Sequence, residues 1–187
     1  MPTLLGYALL NTCLPTPLLA RAQGIVAGLV AGEQLAPAAR VGLCSQLCLD
    51  AAHQGRGLMP ALLTQLSGQV AGRYHWLYAS VQRANARSLR FHEREGYRPV
   101  KEDADRVTFL RPVPAVAPAP LPLPAGYRVR AGRPADAAAL AALNAAWHRE
   151  ARAGQLTGGF LTTLLTEVEF NALIAAGEVA VVELVEP

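Results

Sequence analysis

Leu47–Leu66 reads LCLDAAHQGRGLMPALLTQL. Apolar residues at its start suit the end of a buried strand, Gly55 and Gly57 mark a turn, and Leu62, Leu63 and Leu66 fall on one side of a helix predicted over Met59–Val70. A strand that runs through a glycine turn into a helix presents several backbone N–H groups with no intrahelical partner. The helix dipole adds positive potential at that end. Glycine lets an anionic group approach the backbone closely, and Arg56 adds a fork of donors. No Gly-Lys-Ser/Thr follows, so this is not a P-loop, and it is not the dinucleotide fingerprint either. On physical grounds alone, a phosphate-binding loop and a purely structural turn are equally open.

Working outward, Val41–Asp50 reads as the strand that feeds the loop, and Leu4–Asn11 as a strand before it. Between them, residues 16–33 carry Leu18, Ala22, Ile25, Val26, Leu29 and Val30 at helical spacing, although Gly24, Gly28 and Gly32 weaken a helix there. Downstream, Tyr74–Val81 is an aromatic-rich buried strand and Ala86–Glu95 an amphipathic helix ended by Gly96. Tyr97–Lys101 and Arg106–Leu110 form a hairpin around the charged turn Glu102–Asp105.

The clearest boundary is 111–126, RPVPAVAPAPLPLPAG, with six prolines and no acidic residue. Proline removes ladder donors and fixes φ, so this is a semi-rigid linker between 1–110 and 127–187. The latter has 61 residues, small for a core of its own. It opens with a strand at Tyr127–Ala131, followed by an Ala-rich helix from Pro134-Ala135-Asp136 to about Ala153. Thr166 and Glu169 make a capping box for a helix over Glu167–Ala176, and Val179–Val185 is a final strand.

Composition narrows the class. The chain has 187 residues, 52% hydrophobic and 17% charged, which excludes a disordered polar chain. No apolar run reaches 18 residues, and the first 20 residues hold no Lys or Arg while Pro15 and Pro17 interrupt the apolar part. A spanning helix and a signal peptide are therefore not expected, and the expected location is cytoplasmic, with no membrane partner. Net charge is +3, from 16 Arg, one Lys (Lys101) and 14 acidic residues. Arg bias suits anion recognition but is more simply a mark of GC-rich coding, and the charge is too small to argue for nucleic acid. Three cysteines, Cys13, Cys44 and Cys48, do not make a disulfide framework. Cys44 and Cys48 would sit about 13 Å apart on a regular strand, too far for one zinc or one disulfide. His53, His75 and His148 are scattered, so no metal site is expected. Tyr74, Trp76 and Tyr78 alternate and read as core rather than as base-stacking residues.

The motifs taken together resemble the GNAT superfamily of N-acetyltransferases. Gln54-Gly55-Arg56-Gly57 is similar to the family's Gln/Arg-x-x-Gly-x-Gly/Ala loop, with Met59 at the last position instead of Gly or Ala. Leu47-Cys48-Leu49-Asp50 resembles the bulged strand before that loop, and Asn85–Tyr97, NARSLRFHEREGY, resembles the second signature, which runs from a loop Asn through a helix to Gly-Phe/Tyr. The resemblance implies a central mixed, mostly antiparallel sheet flanked by helices, an α/β (α+β) fold. It implies acetyl-CoA as cosubstrate, held by Leu47, Cys48, Leu49, Gln54, Gly55, Arg56, Gly57, Leu58, Met59, Asn85, Ser88 and His92. His92 stands where many relatives carry a Tyr that protonates the leaving thiolate. It is the catalytic candidate, with a packing role as the alternative. Leu43, Cys44, Ser45 and Gln46 include no carboxylate to serve as the strand base of relatives, leaving Glu150 and Glu169 as distant candidates.

Against the family's order the elements are shifted. Residues 1–110 hold only the later part of the fold, and 127–187 hold a strand, two helices and a strand, the part that is missing. Tyr127–Arg130 with Pro134–Asp136 resembles a GNAT beginning, and Gly159-Phe160-Leu161 with Gly177-Glu178-Val179 resembles the approach to the second strand. The expectation is one fold whose first elements come from the C-terminal segment, as a circular permutation or a segment-swapped homodimer. A linker of about 14 residues reaches about 43 Å, beyond the roughly 24 Å of five strand spacings. Val179–Val185, apolar on both faces, is expected to pair antiparallel with Leu4–Asn11, bringing Met1 near Pro187. The expected function is acetyl transfer from acetyl-CoA to an amine. The alternatives are a non-catalytic acyl-CoA module and, outside the family, a nucleotide-phosphate binder.

Overall fold

The computed structural model describes residues 3–152 and 163–185, and of Leu18 the backbone alone. In chain order these residues form β1 (Thr3–Leu10), α1 (Pro17–Ala31), β2 (Val41–Leu49), α2 (Leu58–Gln69), β3 (Trp76–Gln82), α3 (Ala86–Arg94), β4 (Arg98–Glu102), β5 (Arg106–Pro112), β6 (Tyr127–Ala131), α4 (Ala137–Arg152), α5 (Glu167–Ala175) and β7 (Val179–Leu184). The fold is mixed α/β: a seven-stranded, mostly antiparallel sheet in the order β4-β5-β3-β2-β1-β7-β6, flanked by helices. β2 and β3 pair in parallel. The chain divides into two compact units, one from residues 1–10, 46–70 and 117–187, the other from 11–45 and 71–116.

In the first unit, β7 is apolar along Val179–Val182 and buried over those positions, so it needs partners on both edges. It has them. β1 pairs with it antiparallel from Thr3↔Leu184 to Leu9↔Val179, and β6 pairs on its other edge from Tyr127↔Leu184 to Ala131↔Ala180. The expected pairing of the first and last strands is thus observed, while Met1, Pro187, Ala153 and Gly159–Leu161 lie outside the described residues. α2 packs on β6, β7 and β1 and buries Leu58, Leu62, Leu63 and Leu66. Each such leucine stabilises the fold by about 1.5–3 kcal/mol. Pro134–Asp136 forms a single 3-10 turn ahead of α4 rather than its first α-turn. Thr166 and Glu169 close the expected capping box on α5.

A charged cluster fastens β6 to β7. The Glu183 side chain is 0% exposed and faces two arginines. Arg130 reaches it at 2.7 Å and also grips Asp136 with two bonds of 2.7 and 2.9 Å, while Arg128 pairs with the other Glu183 oxygen. Burial raises the Glu183 carboxyl, but the bonds from Arg130 and Arg128 outweigh it and hold the group below its ordinary value. Asp136 behaves alike, with burial opposed by Arg130 and the Arg133 N–H.

In the second unit, β3 pairs antiparallel with β5 from Trp76↔Pro112 to Gln82↔Arg106, and β4 covers β5. α1 forms in spite of its glycines. Thr16 caps it by accepting the Leu19 N–H, Pro17 opens its first turn, and Ala22 and Leu29 pack with Leu35, Leu43, Tyr78 and Leu110. Gly24 and Gly28 face open space, where an added Cβ meets nothing within 4 Å, and they line a hollow of about 400 Å³ with Ile25, Val100 and Lys101. Tyr74 lies outside the strand. Its hydroxyl bonds Thr12 at 2.9 Å, so the aromatic alternation starts at Trp76. Among the described residues Cys13, Cys44 and Cys48 form no disulfide, and the last two are buried.

Candidate functional site

The loop after β2 is built by short-range bonds. The Asp50 N–H donates to the Leu5 carbonyl at 2.8 Å, which fixes the end of β2. The Asp50 carboxylate accepts the Ala52 N–H at 2.8 Å and caps the single turn Ala51–His53. The Gln54 side chain donates back to the Leu49 carbonyl at 3.1 Å. The chain then passes through Gly55 (φ +77°) and Gly57 (φ +76°), both left-handed. A Cβ on either would meet nothing within 4 Å, so backbone conformation, not packing, demands glycine. Any other L-residue costs about 1–2 kcal/mol there.

Gly57 is the N-cap of α2 and supplies no side-chain cap. Pro60 has no N–H, and the Ala61 N–H bonds the Gly57 carbonyl at 3.3 Å. The first-turn amides of Leu58 and Met59 therefore have no intrahelical acceptor and carry the positive end of the helix dipole. The Leu58 side chain, 1% exposed, anchors this end in the core. Arg56 is exposed on the loop, with its guanidinium 5.9 Å above the Tyr127 ring. The Tyr127 hydroxyl lies 2.9 Å from Nδ1 of His53.

In the same unit lies a buried polar cluster that the sequence reading missed. The Tyr7 hydroxyl donates to Gln46 Oε1 at 2.7 Å. Asn144 Nδ2 donates to Gln46 Oε1 at 3.0 Å and to the Tyr7 oxygen at 2.9 Å. Gln46 Nε2 donates to the Thr163 carbonyl at 2.8 Å, and the Leu165 N–H donates to Asn144 Oδ1 at 2.8 Å. Trp147 and Phe170 pack on the Tyr7 ring. Burial pushes the Tyr7 hydroxyl well above its usual range, so it stays protonated as a donor. The available signal was Asn144, a lone amide in the Ala-rich stretch of α4.

The remaining expected residues lie in the second unit. Asn85 caps α3 by accepting the Ser88 N–H at 3.0 Å. His92 Nδ1 lies 2.7 Å from the Ser88 carbonyl and 3.3 Å from Ser88 Oγ. A carbonyl only accepts, so Nδ1 carries the proton and the neutral ring has its lone pair at Nε2. The ring is 5% exposed, stacked on Phe109 and edge-on to Tyr97. Burial holds its pKa below 6.5, against the Ser88 carbonyl.

Leu47 through Met59 thus fall in the first unit, and Asn85, Ser88 and His92 in the second. Glu169 is engaged in the cap of α5, accepting the Thr166 N–H and hydroxyl at 2.7 Å each. Among the described residues no cluster of His, Cys, Asp and Glu could hold a metal ion, and no helix is long and apolar enough to cross a membrane.

The profile of the Acetyltransferase (GNAT) family matches residues 3–97, just over half of the chain. No curated protein matches the sequence. A solved structure from Klebsiella pneumoniae, provisionally assigned as an acyl-CoA N-acyltransferase, aligns with 18% identity and a TM-score of 0.36, over 57% of this chain and 97% of its own.

Proposed function

The chain belongs to the GNAT acetyltransferase family, and from that premise we propose that it transfers an acetyl group from acetyl-CoA to an amine. The observation that carries the proposal is the loop Gln54–Met59, which follows β2, turns on two left-handed glycines and delivers the dipole of α2 to an open surface. In this reading the loop amides and Arg56 hold the cofactor's phosphates, and the amides of Leu47–Leu49 meet pantetheine and the thioester carbonyl. Bound acetyl-CoA supplies the acyl group, and the acceptor amine attacks it directly.

The same reading makes 127–187 the provider of the fold's first strand, its two helices and its second strand, permuted in sequence order. Its support is the pairing of β7 between β6 and β1 and the family match over residues 3–97. A segment-swapped dimer would make the same contacts.

His92 is the candidate proton donor to the leaving thiolate. With Nδ1–H held by the Ser88 carbonyl, donation requires the imidazolium, and the depressed pKa keeps that form scarce at neutral pH. We therefore assign it packing and orientation at neutral pH, with the thiolate protonated from solvent.

A second reading, an acyl-CoA-binding module without turnover, is favoured by one observation. The strand residue Gln46 is an amide whose Oε1 is already bonded by Tyr7 and Asn144, so it is no base. Thiol release by the purified chain across amines, amino acids and peptides separates the two: release supports the transferase, and tight CoA binding without release supports the module.

A further inference from the structure

Arg56 stands between Gly55 and Gly57, neighbours that lend it no steric restraint, and its side chain is exposed. Such an arginine ordinarily loses much rotamer entropy when it grips a ligand. Here its guanidinium is already seated, 5.9 Å over the Tyr127 ring. Tyr127 is fixed in turn. Its backbone pairs with Leu184 in β7, its hydroxyl meets His53 Nδ1 at 2.9 Å, and the two rings sit edge-on at 5.8 Å. His53 belongs to the turn that Asp50 caps. A chain of contacts therefore runs from the end of β2 through His53 and Tyr127 to Arg56, all within one compact unit. A guanidinium held over a ring by its charge keeps N–H donors free for an anion.

We propose that Tyr127 is a positioning residue for cofactor binding: it holds Arg56 ready to bond a phosphate of acyl-CoA. The inference rests on reading the loop as the acyl-CoA site and adds a residue from the far side of the proline linker to it. The phosphate is either in the diphosphate or on the 3′ position of the ribose, and both offer oxygens to the same fork of donors.

The test is a calorimetric titration of full-length protein with CoA and with 3′-dephospho-CoA. Tyr127→Leu should weaken CoA binding about fivefold and Arg56→Ala about tenfold, and the double variant should bind no more weakly than Arg56→Ala alone. Tyr127→Phe, which keeps the ring, should stay within about twofold of wild type. Equal losses for both ligands place the contact on the diphosphate, and a loss confined to CoA places it on the 3′-phosphate; either supports the inference. Arg56→Lys, a change on an exposed side chain, should lose about fivefold and keeps the test decisive if Tyr127→Leu does not fold. Losses that add in the double variant, or wild-type affinity in either Tyr127→Leu or Arg56→Lys, overturn the inference while leaving the loop reading intact. Failure of the wild-type protein to bind either ligand overturns both.

Discussion

At the scale of residues, the structure separates positions held by conformation from positions held by packing. Gly57 is of the first kind. A side chain there meets no protein atom within 4 Å, so Gly57→Ala should cost only the strain of a left-handed alanine, about 1 kcal/mol, read as a small fall in melting temperature. His92 is of the second kind. Its folded pKa lies below that of the unfolded chain, so it adds stability that is fully present above about pH 6.5 and lost as pH falls through the lower folded value. Were it the proton donor, turnover would fade as pH rises above that depressed value. We predict instead that His92→Gln keeps kcat within about tenfold at pH 7.5, and a loss beyond a hundredfold in a pH–rate series would restore the donor role. The cysteines divide similarly. Burial pushes the Cys44 thiol up to about 11, and Cys48 is 0% exposed, whereas Cys13 is exposed. Brief alkylation of native protein at pH 8 should add one label, at Cys13, by mass spectrometry, and labelling of Cys44 or Cys48 would contradict the packing.

At the scale of elements, the most consequential contact is the charged clasp between β6 and β7. Removing one member of a buried pair leaves the other uncompensated, so Glu183→Gln should destabilise the protein by about 3 kcal/mol in denaturant unfolding. Because the Glu183 and Asp136 carboxyls titrate below their ordinary values of 4.5 and 3.8, the unfolded chain binds more protons as pH falls beneath those values. Stability should therefore drop on acidification below about pH 4.5, and Glu183→Gln should flatten that limb. An unchanged acid limb would show that the clasp contributes nothing.

The same scale explains what was legible. Strand and helix positions came through because apolar spacing is local: β1, β2, α2, β6 and α5 lie within a residue or two of expectation. Gly24 and Gly28 look like breakers in the sequence of α1, and they are tolerated because they occupy its uncovered side. Tyr74 was misplaced in a strand because alternation carries no information on where pairing stops. The loop glycines were legible because their conformation is local. The Tyr7–Gln46–Asn144 cluster was not, since its members stand 39 and 98 residues apart and meet only in the folded chain.

At the scale of the whole molecule, β7 has partners on both edges and neither is optional. Without β1 its Val- and Ala-rich edge is unpaired, so residues 127–187 alone should give the circular dichroism of an unfolded or aggregated chain, and added 1–112 should restore order. A stably folded monomeric fragment would instead favour two tandem domains.

The central claim is that the glycine loop binds acyl-CoA, and calorimetric titration of acetyl-CoA into wild-type protein and Gly57→Val tests it most directly. Wild type should bind with a single saturable isotherm, and Gly57→Val should bind at least tenfold more weakly while melting within a few degrees of wild type. Equal affinity in the two proteins, or no binding by wild type, would contradict the account.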